Sequence, residues 1–328
     1  MLLSRAGVSI AVERRFALPA NPAMPLAHDE PVLERPARMS TPPPALGVIG
    51  GSGLYEMEQL TDVEEIALMT PFGAPSDAII AGMLGDTRLL FLPRHGRGHR
   101  YPPHRINYRA NVLALKMAGA EQILSLSAVG SMRDDIHPGD MIVVDQFIDR
   151  TRHRIDTYFD EDGVVAHVEF ARPIDSELAG ALSAAARRAG ATVHEGGVYL
   201  CMEGPQFSTL AESQLYRSWG VSVIGMTNLP EARLAREAEL PYATLAMATD
   251  YDCWHEAHDA VTVEAVVAVM HENVAKAKEI IVELGKAVPD PSGRPATSAL
   301  AGAIITNPDS ISADVRDKLR PLIGKYIP

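Results

Sequence analysis

The chain has 328 residues, of which 47% are hydrophobic and 22% charged, and its formal net charge at pH 7 is −12. This composition is typical of a globular protein with one large or two ordinary domains, and no apolar run approaches the roughly 20 residues that span a membrane. The acidic balance argues against nucleic acid as a partner, because binding phosphates along a strand requires a basic face. Two cysteines, Cys201 and Cys253, are too few for a disulfide framework, so we expect a reducing, cytoplasmic location. Because no long apolar run is present, we expect no membrane association.

Residues 1–45 form a leader, since eight of the 24 prolines fall there and apolar periodicity is weak. We predict that this segment is disordered, as expected for a stretch that cannot bury enough apolar surface. It is not predicted to be a secretory signal, because Glu13, Arg14 and Arg15 interrupt its apolar part. Met39 lies immediately before Ser40-Thr41-Pro42 and the first predicted strand, and we hypothesise that the natural chain starts at Met39. N-terminal mass spectrometry tests this, and a mature chain beginning at Met1 contradicts it.

From residue 46 to 286, short β-rich runs alternate with segments of helical periodicity. The runs predict strands at residues 46–50, 89–92, 122–126, 141–144, 221–226 and 242–248, and helices at 106–117, 208–219, 230–238 and 261–284. Such alternation predicts a single α/β domain with a central mixed sheet and helices on both faces. Residues 287–328 are predicted to be a linker rich in Pro, Gly and Ser, followed by a short helix near residues 313–322.

A glycine-rich turn, Gly50-Gly51-Ser52-Gly53, directly follows the first predicted strand. Glycines there let the backbone approach an anion, and the Ser52 hydroxyl adds a donor. The spacing of a dinucleotide-binding fingerprint is absent, so a nucleotide cofactor is not predicted from this motif. A tight turn without a ligand remains the alternative.

A basic cluster follows the second predicted strand and contains Arg94, His95, Arg97, His99 and Arg100. We favour an oxyanion site over a solvated loop, because arginine presents a planar fork suited to phosphate and α/β sheets bind ligands at strand ends. Zinc is disfavoured, because no thiolate or carboxylate lies nearby and the arginines would repel a cation. Ser127 and Ala128 form a third small-residue turn at a strand end, and the three turns together describe one phosphate cradle.

Two carboxylates, Asp250 and Asp252, close the predicted strand 242–248. If the strand continues, both side chains point to the same face, and a carboxylate at a strand end is a common catalytic acid. The alternative is an Asx turn or a helix N-cap. The segments 203–207 and 225–228, which contain Phe207 and Met226, are likewise interpreted as strand ends, and a role in the core is the alternative to ligand contact for both residues.

Taken together, these segments resemble the purine nucleoside phosphorylase superfamily, and within it the S-methyl-5′-thioadenosine phosphorylase branch. The resemblance covers most of residues 46–285 and rests on matching runs at residues 47–54, 70–77, 94–96, 139–151, 203–207, 226–227 and 246–254. It implies a phosphorylase-type fold and phosphorolysis of an N-glycosidic bond, with adenine as the leaving group and methylthioribose 1-phosphate as the second product. Inorganic phosphate is then a co-substrate, and no cofactor or metal is expected.

The resemblance also implies roles for individual residues. The implied phosphate site consists of Ser52, Arg94, His95, Ser127 and Ala128, and the implied nucleoside site consists of Phe207, Met226, Thr227, Asp250, Asp252, His167, Val263 and Val266. In the family the methylthio group lies between the late helix, here Val263 and Val266, and a histidine of the neighbouring subunit, which matches His167. This sharing implies a homotrimer.

The expected chemistry is consistent with a catalytic role for Asp250. The departing purine gains negative charge, so a protonated carboxyl at N7 lowers the barrier, and burial at the end of an apolar strand raises the pKa of such a group. An aspartate also accepts a hydrogen bond from a 6-amino group, whereas members that act on 6-oxopurines are expected to carry Asn there. The alternatives left open are a methylthioinosine phosphorylase, a 6-oxopurine nucleoside phosphorylase, a nucleosidase that uses water, and a purine-binding protein without activity.

Overall fold

The structure is a computed structural model that describes residues 45–51, 53–54, 56–255 and 263–327, without the side chains of 263–267. Residues 1–44 of the predicted leader, the hypothesised start at Met39 and the phosphate-site candidate Ser52 therefore lie outside the described residues, whereas Ala45 belongs to the first strand. Within this part of the chain, no helix is long and apolar enough to cross a membrane.

Eleven strands and six α-helices are present in the described part. The strands are β1 (Ala45–Gly50), β2 (Thr61–Ile66), β3 (Ile79–Leu84), β4 (Thr87–Pro93), β5 (Ala120–Ser131), β6 (Met141–Val143), β7 (Gln146–Arg150), β8 (Val193–Glu195), β9 (Val198–Met202), β10 (Val223–Gly225) and β11 (Tyr242–Asp250). The helices are α1 (Tyr108–Met117), α2 (Ser176–Arg188), α3 (Leu210–Ser218), α4 (Asn228–Glu237), α5 (Val263–Gly285) and α6 (Ala313–Ile323).

The strands form one mixed sheet in the order β2-β3-β4-β1-β5-β10-β9-β7, and β11 pairs with both β5 and β6. Strands β4, β1, β5 and β11 are mutually parallel, whereas β10 runs antiparallel to β5. The predicted α/β class with a central mixed sheet is therefore confirmed. Parallel neighbours end at the same edge of the sheet, which brings the segments after β1, β4 and β11 towards one another.

Hydrophobic residues alternate between the two faces of the sheet and build two cores. Along β1, Ile49 packs into the core that includes α1, α4 and α6, while Leu46 and Val48 pack into the core that includes α2 and α5. This alternation follows from the two-residue period of a strand, which directs successive side chains to opposite faces. Helices consequently cover both faces, as predicted.

Several element boundaries differ from the predicted ones. Helix α3 is capped by Thr209, not by Ser208, because Thr209 and Glu212 form a reciprocal capping box. Helix α4 begins at Asn228, although Leu229 has non-helical backbone angles. Strand β2 was not predicted, since five of its six residues are exposed and carry little apolar periodicity.

The C-terminal residues 286–327 lie against the body of the molecule. Leu300, Ile311, Leu319 and Leu322 are buried in the same core as α1 and α4. The short helix predicted near residues 313–322 is confirmed as α6, and Ser312 caps it.

Candidate active site

The centre of the sheet contains an opening along one edge of β5. Strand β1 pairs with β5 only as far as Ser125, and β10 pairs with it only at Gly130 and Ser131. Ala128 lies between these two pairings and is exposed, although Ser127 and Val129 on either side are buried. An exposed residue in the interior of a central strand indicates a cleft that reaches the sheet, which is where ligands of α/β proteins commonly bind.

Arg94 follows β4 and lies directly beside this opening, but its guanidinium is buried and paired. Its Nε donates to Glu231 Oε2 at 2.8 Å, its Nη1 to the Leu126 carbonyl at 2.9 Å, and its Nη2 to the Ser125 hydroxyl at 2.7 Å. Burial alone would lower the pKa of Arg94, but the charge and hydrogen bond of Glu231, with smaller contributions from Tyr242 and Tyr108, together outweigh burial and raise the pKa. Arg94 therefore remains charged, because its buried carboxylate partner stabilises the cation.

Glu231 and its hydrogen-bond partners were not identified from the sequence. The carboxylate accepts hydrogen bonds from the Ser125 hydroxyl at 2.7 Å and from the Tyr242 hydroxyl at 2.9 Å, in addition to those from Arg94. Asn228 donates to both of these hydroxyl oxygens. A fully satisfied buried network of this kind fixes the backbone of β5 directly below the opening.

His95 is half-buried at the same strand end. Its Nδ1 lies 2.8 Å from the Tyr101 carbonyl, which can only accept, so Nδ1 carries the proton and Nε2 is left as the acceptor of the neutral ring. Burial lowers the pKa of His95 to about 4, and the charge of Arg94 acts in the same direction against the hydrogen bond to Tyr101. The ring also stacks on His99 with centroids 4.1 Å apart.

Ser127 and Thr227 meet within the opening. The Ser127 hydroxyl lies 3.1 Å from the Thr227 hydroxyl and 3.1 Å from the Tyr199 hydroxyl. Ser127 and Thr227 were predicted as site residues. Tyr199 was not, because the sequence does not distinguish a buried tyrosine at a site from one in the hydrophobic core. The three hydroxyls form a buried polar cluster next to the exposed Ala128, and hydroxyls are groups that can donate to an oxyanion.

The two predicted carboxylates lie beside Gly130 of β5. Strand β11 ends at Asp250, and Asp252 has a φ of 53° in a short 3-10 turn, so the condition that the strand continues through both residues is not met. Instead, the Asp252 N–H donates to Asp250 Oδ1 at 2.8 Å, which is the Asx-turn geometry of the alternative interpretation. The turn nevertheless keeps both carboxyl groups at the opening, because a Cβ on Gly130 would lie 3.0 Å from Asp250 Oδ1 and 3.3 Å from Asp252 Cβ.

Both carboxyl groups are perturbed by burial. Burial raises the pKa of Asp250, and hydrogen bonds from the Thr249 hydroxyl and the Asp252 N–H oppose it. Burial also raises the pKa of Asp252, against a hydrogen bond from the Ser213 hydroxyl, and the charge of Asp250 adds to the rise. A carboxyl with a raised pKa in a cleft is suited to act as a general acid.

The remaining predicted nucleoside-site residues occupy different environments. Met226 is half-buried under the loop that follows β9, where a Cβ on Gly204 would lie 2.6 Å from its Sδ. Phe207, on the same loop, is 61% exposed and therefore is not a core residue. Its ring is available to a flat apolar ligand.

Arg154 organises this loop and was also missed by the sequence analysis. Its side chain is 2% exposed and donates to the carbonyls of Met226 at 2.7 Å and Glu203 at 2.8 Å. It also reaches the Leu229 carbonyl at 2.6 Å. The Arg154 guanidinium thus connects the loops after β9 and β10. The sequence around Arg154 contains no signal that distinguishes it from an arginine on the surface.

No interaction among the described residues brings His167 into contact with the opening. His167 is exposed, and its N–H donates to the Ala303 carbonyl at 3.0 Å. Val263 and Val266 belong to the first turn of α5, but their side chains lie outside the described residues. The described ranges also contain no group of three or more His, Cys, Asp or Glu side chains that could hold a metal ion.

Comparison with known proteins identifies many similar sequences. The model of a family described as the phosphorylase superfamily matches residues 45–285. An S-methyl-5′-thioadenosine phosphorylase of Geobacter sulfurreducens is 56% identical over 283 residues, which cover 86% of this chain and 99% of that protein. Another protein of that name, from Thermosynechococcus vestitus, is 54% identical over 286 residues and covers 86% of this chain and 99% of its own length.

Solved structures show the same relationship. A crystal structure of a methylthioadenosine phosphorylase from an Antarctic soil metagenomic library aligns with a TM-score of 0.81 and 42% identity, and covers 86% of this chain and 99% of that one. A methylthioadenosine phosphorylase of Schistosoma mansoni in complex with adenine aligns with a TM-score of 0.75 and 34% identity, and covers 80% of this chain and 99% of that one.

Proposed function

The chain belongs to the phosphorylase superfamily, and from this premise we propose that it is a pentosyltransferase that cleaves S-methyl-5′-thioadenosine with inorganic phosphate. The products are adenine and S-methyl-5-thioribose 1-phosphate, so the enzyme serves methylthioadenosine and purine salvage. The observation that carries the proposal is that β5 has a hydroxyl cluster at Ser127 and a half-buried carboxyl, Asp250, beside Gly130. Ser127 and Gly130 are three residues apart on β5, so at about 3.3 Å per residue they lie roughly 10 Å from each other. This distance is similar to the length of a phosphate and a ribosyl purine placed end to end.

We assign phosphate to the region formed by Ser127, Ala128, Thr227 and His95, and we propose Ser52, which the family resemblance implies, as a further phosphate ligand. The Ser127 and Thr227 hydroxyls and the exposure of Ala128 support this assignment. The neutral His95 ring offers Nε2 as an acceptor for the remaining proton of hydrogen phosphate. Arg94 contributes positive charge beside the opening. Its hydrogen bonds to the Leu126 carbonyl and the Ser125 hydroxyl hold β5 in position.

The adenine is then placed at the carboxyl turn and the exposed aromatic loop. A phosphate oxygen attacks C1′ while the bond between C1′ and N9 breaks, and the bonding electrons pass to the purine. The protonated Asp250 carboxyl donates its proton to N7, so neutral adenine leaves and Asp250 remains as a carboxylate until solvent reprotonates it. Asp252 holds the 6-amino edge, Phe207 stacks on the base and Met226 lies against the ribose.

We further propose a cytoplasmic homotrimer that needs no cofactor. In this assembly His167 of the partner subunit lies against the methylthio group, together with Val263 and Val266 of α5. His167 is exposed in the single chain, so its side chain is accessible to a partner subunit. Sedimentation of the purified chain tests the trimer.

The function itself is tested by measuring adenine release from S-methyl-5′-thioadenosine with and without phosphate. We expect release only when phosphate is present, with one sugar phosphate formed per adenine. Equal release in phosphate-free buffer would identify a nucleosidase, and binding without release would identify a purine-binding protein. Faster turnover of S-methyl-5′-thioinosine or inosine than of the 6-amino substrate would favour the 6-oxopurine alternatives.

A further inference from the structure

The C-terminal strap, defined as residues 286–327, lies beyond the part of the chain that the family model matches. It is attached to the body by buried charged groups. Glu239 is 6% exposed, and its Oε1 accepts hydrogen bonds from the Leu300 N–H at 3.0 Å and from the Tyr326 hydroxyl. Arg294 is 4% exposed and pairs with Asp175 at 2.8 Å. Both ends of the strap are therefore fixed to the main fold.

The middle of the strap pairs with the loop that carries His167, defined here as the His167 loop (residues 161–168). Ala166 and Ile304 form an antiparallel bridge. The His167 N–H donates to the Ala303 carbonyl, and the Ile305 N–H donates to the Val165 carbonyl, each at 3.0 Å. The strap thus supplies the hydrogen bonds that a neighbouring strand would supply.

Side chains of the strap hold the start of the same loop. The Thr306 hydroxyl accepts from the Val165 N–H at 2.8 Å. Val315 of α6 lies so close to Gly163 that a Cβ on the glycine would be 3.0 Å from a Val315 methyl group, and Gly163 has a φ of 130°. Val164, between these contacts, is 2% exposed and belongs to the same buried cluster as the strap.

We infer that the C-terminal strap is a positioning device for His167, and that it thereby sets the selectivity of the enzyme for the 5′ group of its substrate. The inference rests on the proposed function, in which His167 of the partner subunit contacts the methylthio group. Ordering an irregular exposed loop at an interface is unfavourable, because the loop loses conformational entropy. The strap removes that cost beforehand, because the backbone on both sides of Ala166 is already hydrogen-bonded.

The test compares KM for S-methyl-5′-thioadenosine with KM for adenosine, which carries a 5′-hydroxyl instead. Thr306→Val removes the acceptor of the Val165 N–H, and Ile305→Pro removes the donor to the Val165 carbonyl. We expect each to raise KM for the methylthio substrate about fivefold, the size of one lost hydrogen bond, with little change for adenosine or phosphate. Thr306→Ser keeps the hydroxyl and should restore the wild-type ratio.

Two controls separate positioning from general destabilisation. Thr297→Val removes a strap hydroxyl that donates to the Arg294 carbonyl at 2.8 Å within the strap itself, so it should leave the KM ratio unchanged. Hydrogen exchange should accelerate at residues 164–168 in Thr306→Val and not in Thr297→Val. In His167→Ala the methylthio preference should already be lost, and adding Thr306→Val should lower it no further.

The possible results are distinguishable. If His167→Ala changes the KM ratio but the two strap variants do not, despite faster exchange of the loop, the positioning inference is wrong. If His167→Ala leaves the ratio unchanged while phosphorolysis continues, both the inference and the placement of His167 fail, but the phosphorylase assignment stands. Only an absence of phosphate-dependent adenine release in the wild type contradicts the proposed function itself.

Discussion

Replacing Asp250 with Asn separates proton donation from the other roles of this side chain. Asn has the same shape and its amide still offers one donor and one acceptor to the adenine edge, but it has no acidic proton. General acids of this kind contribute about 10²- to 10⁴-fold to rate. We therefore expect kcat for S-methyl-5′-thioadenosine to fall by that factor, equivalent to about 3–5 kcal/mol of activation free energy, with KM changed only a few fold.

The structural cost of the same substitution is smaller and can be measured separately. Asp250 Oδ2 accepts from the Thr249 hydroxyl at 2.7 Å and Oδ1 accepts from the Asp252 N–H at 2.8 Å, so an amide nitrogen displaces one of these bonds. One lost hydrogen bond costs about 1 kcal/mol. Thr249→Val loses the hydroxyl donor but keeps the carboxyl, and it is the matched control. Its kcat should fall by less than about tenfold.

The assay follows adenine formation at saturating phosphate across a range of pH. Because burial raises the pKa of Asp250, the active protonated form persists to higher pH than for an ordinary aspartate, and wild-type activity is lost as pH rises through that pKa. The residual activity of Asp250→Asn should lack this alkaline loss. A kcat for Asp250→Asn equal to that of Thr249→Val would refute the assignment of Asp250 as the acid.

Three further changes test other parts of the site. Glu231→Ala leaves the buried Arg94 guanidinium without its counter-ion and should lower the free energy of unfolding by about 3–5 kcal/mol in urea titrations, so a loss below about 1 kcal/mol contradicts the buried ion pair. Because burial lowers the pKa of His95 to about 4, the native state binds fewer protons than the unfolded state between about pH 4 and 6.5, and stability falls as pH is lowered through this window. His95→Asn should remove up to about 3 kcal/mol of that fall, and an unchanged pH profile of unfolding would contradict it. Gly204→Ala places a Cβ 2.6 Å from Met226 Sδ at a φ of 68°, so KM for the nucleoside should rise several-fold, and an unaltered KM would argue against Met226 as a ribose contact.

The sequence by itself determined the fold class and most of the elements that surround the opening. Apolar periods of two and of about 3.6 residues are local properties of the chain, so β1, β4, β11 and α1 were predictable from short windows. Turn chemistry is equally local: Gly119, two residues after the end of α1, has a φ of 98°, which glycine adopts readily. The basic cluster that contains residues 94–96 indicated an oxyanion site, whereas the run at residues 246–254 pointed to a purine only through the family resemblance.

Only the tertiary structure decided which side chains meet. Arg94 and Glu231 are 137 residues apart in sequence, and the burial that pairs them is created by the sheet and α4 together. Asp252 leaves the line of β11 because its N–H bonds to Asp250, an option that the strand pattern left open. The strap reaches the His167 loop across a separation of more than 130 residues. Such contacts depend on the packing of whole elements, whereas sequence periodicity reports only which face of each element is buried.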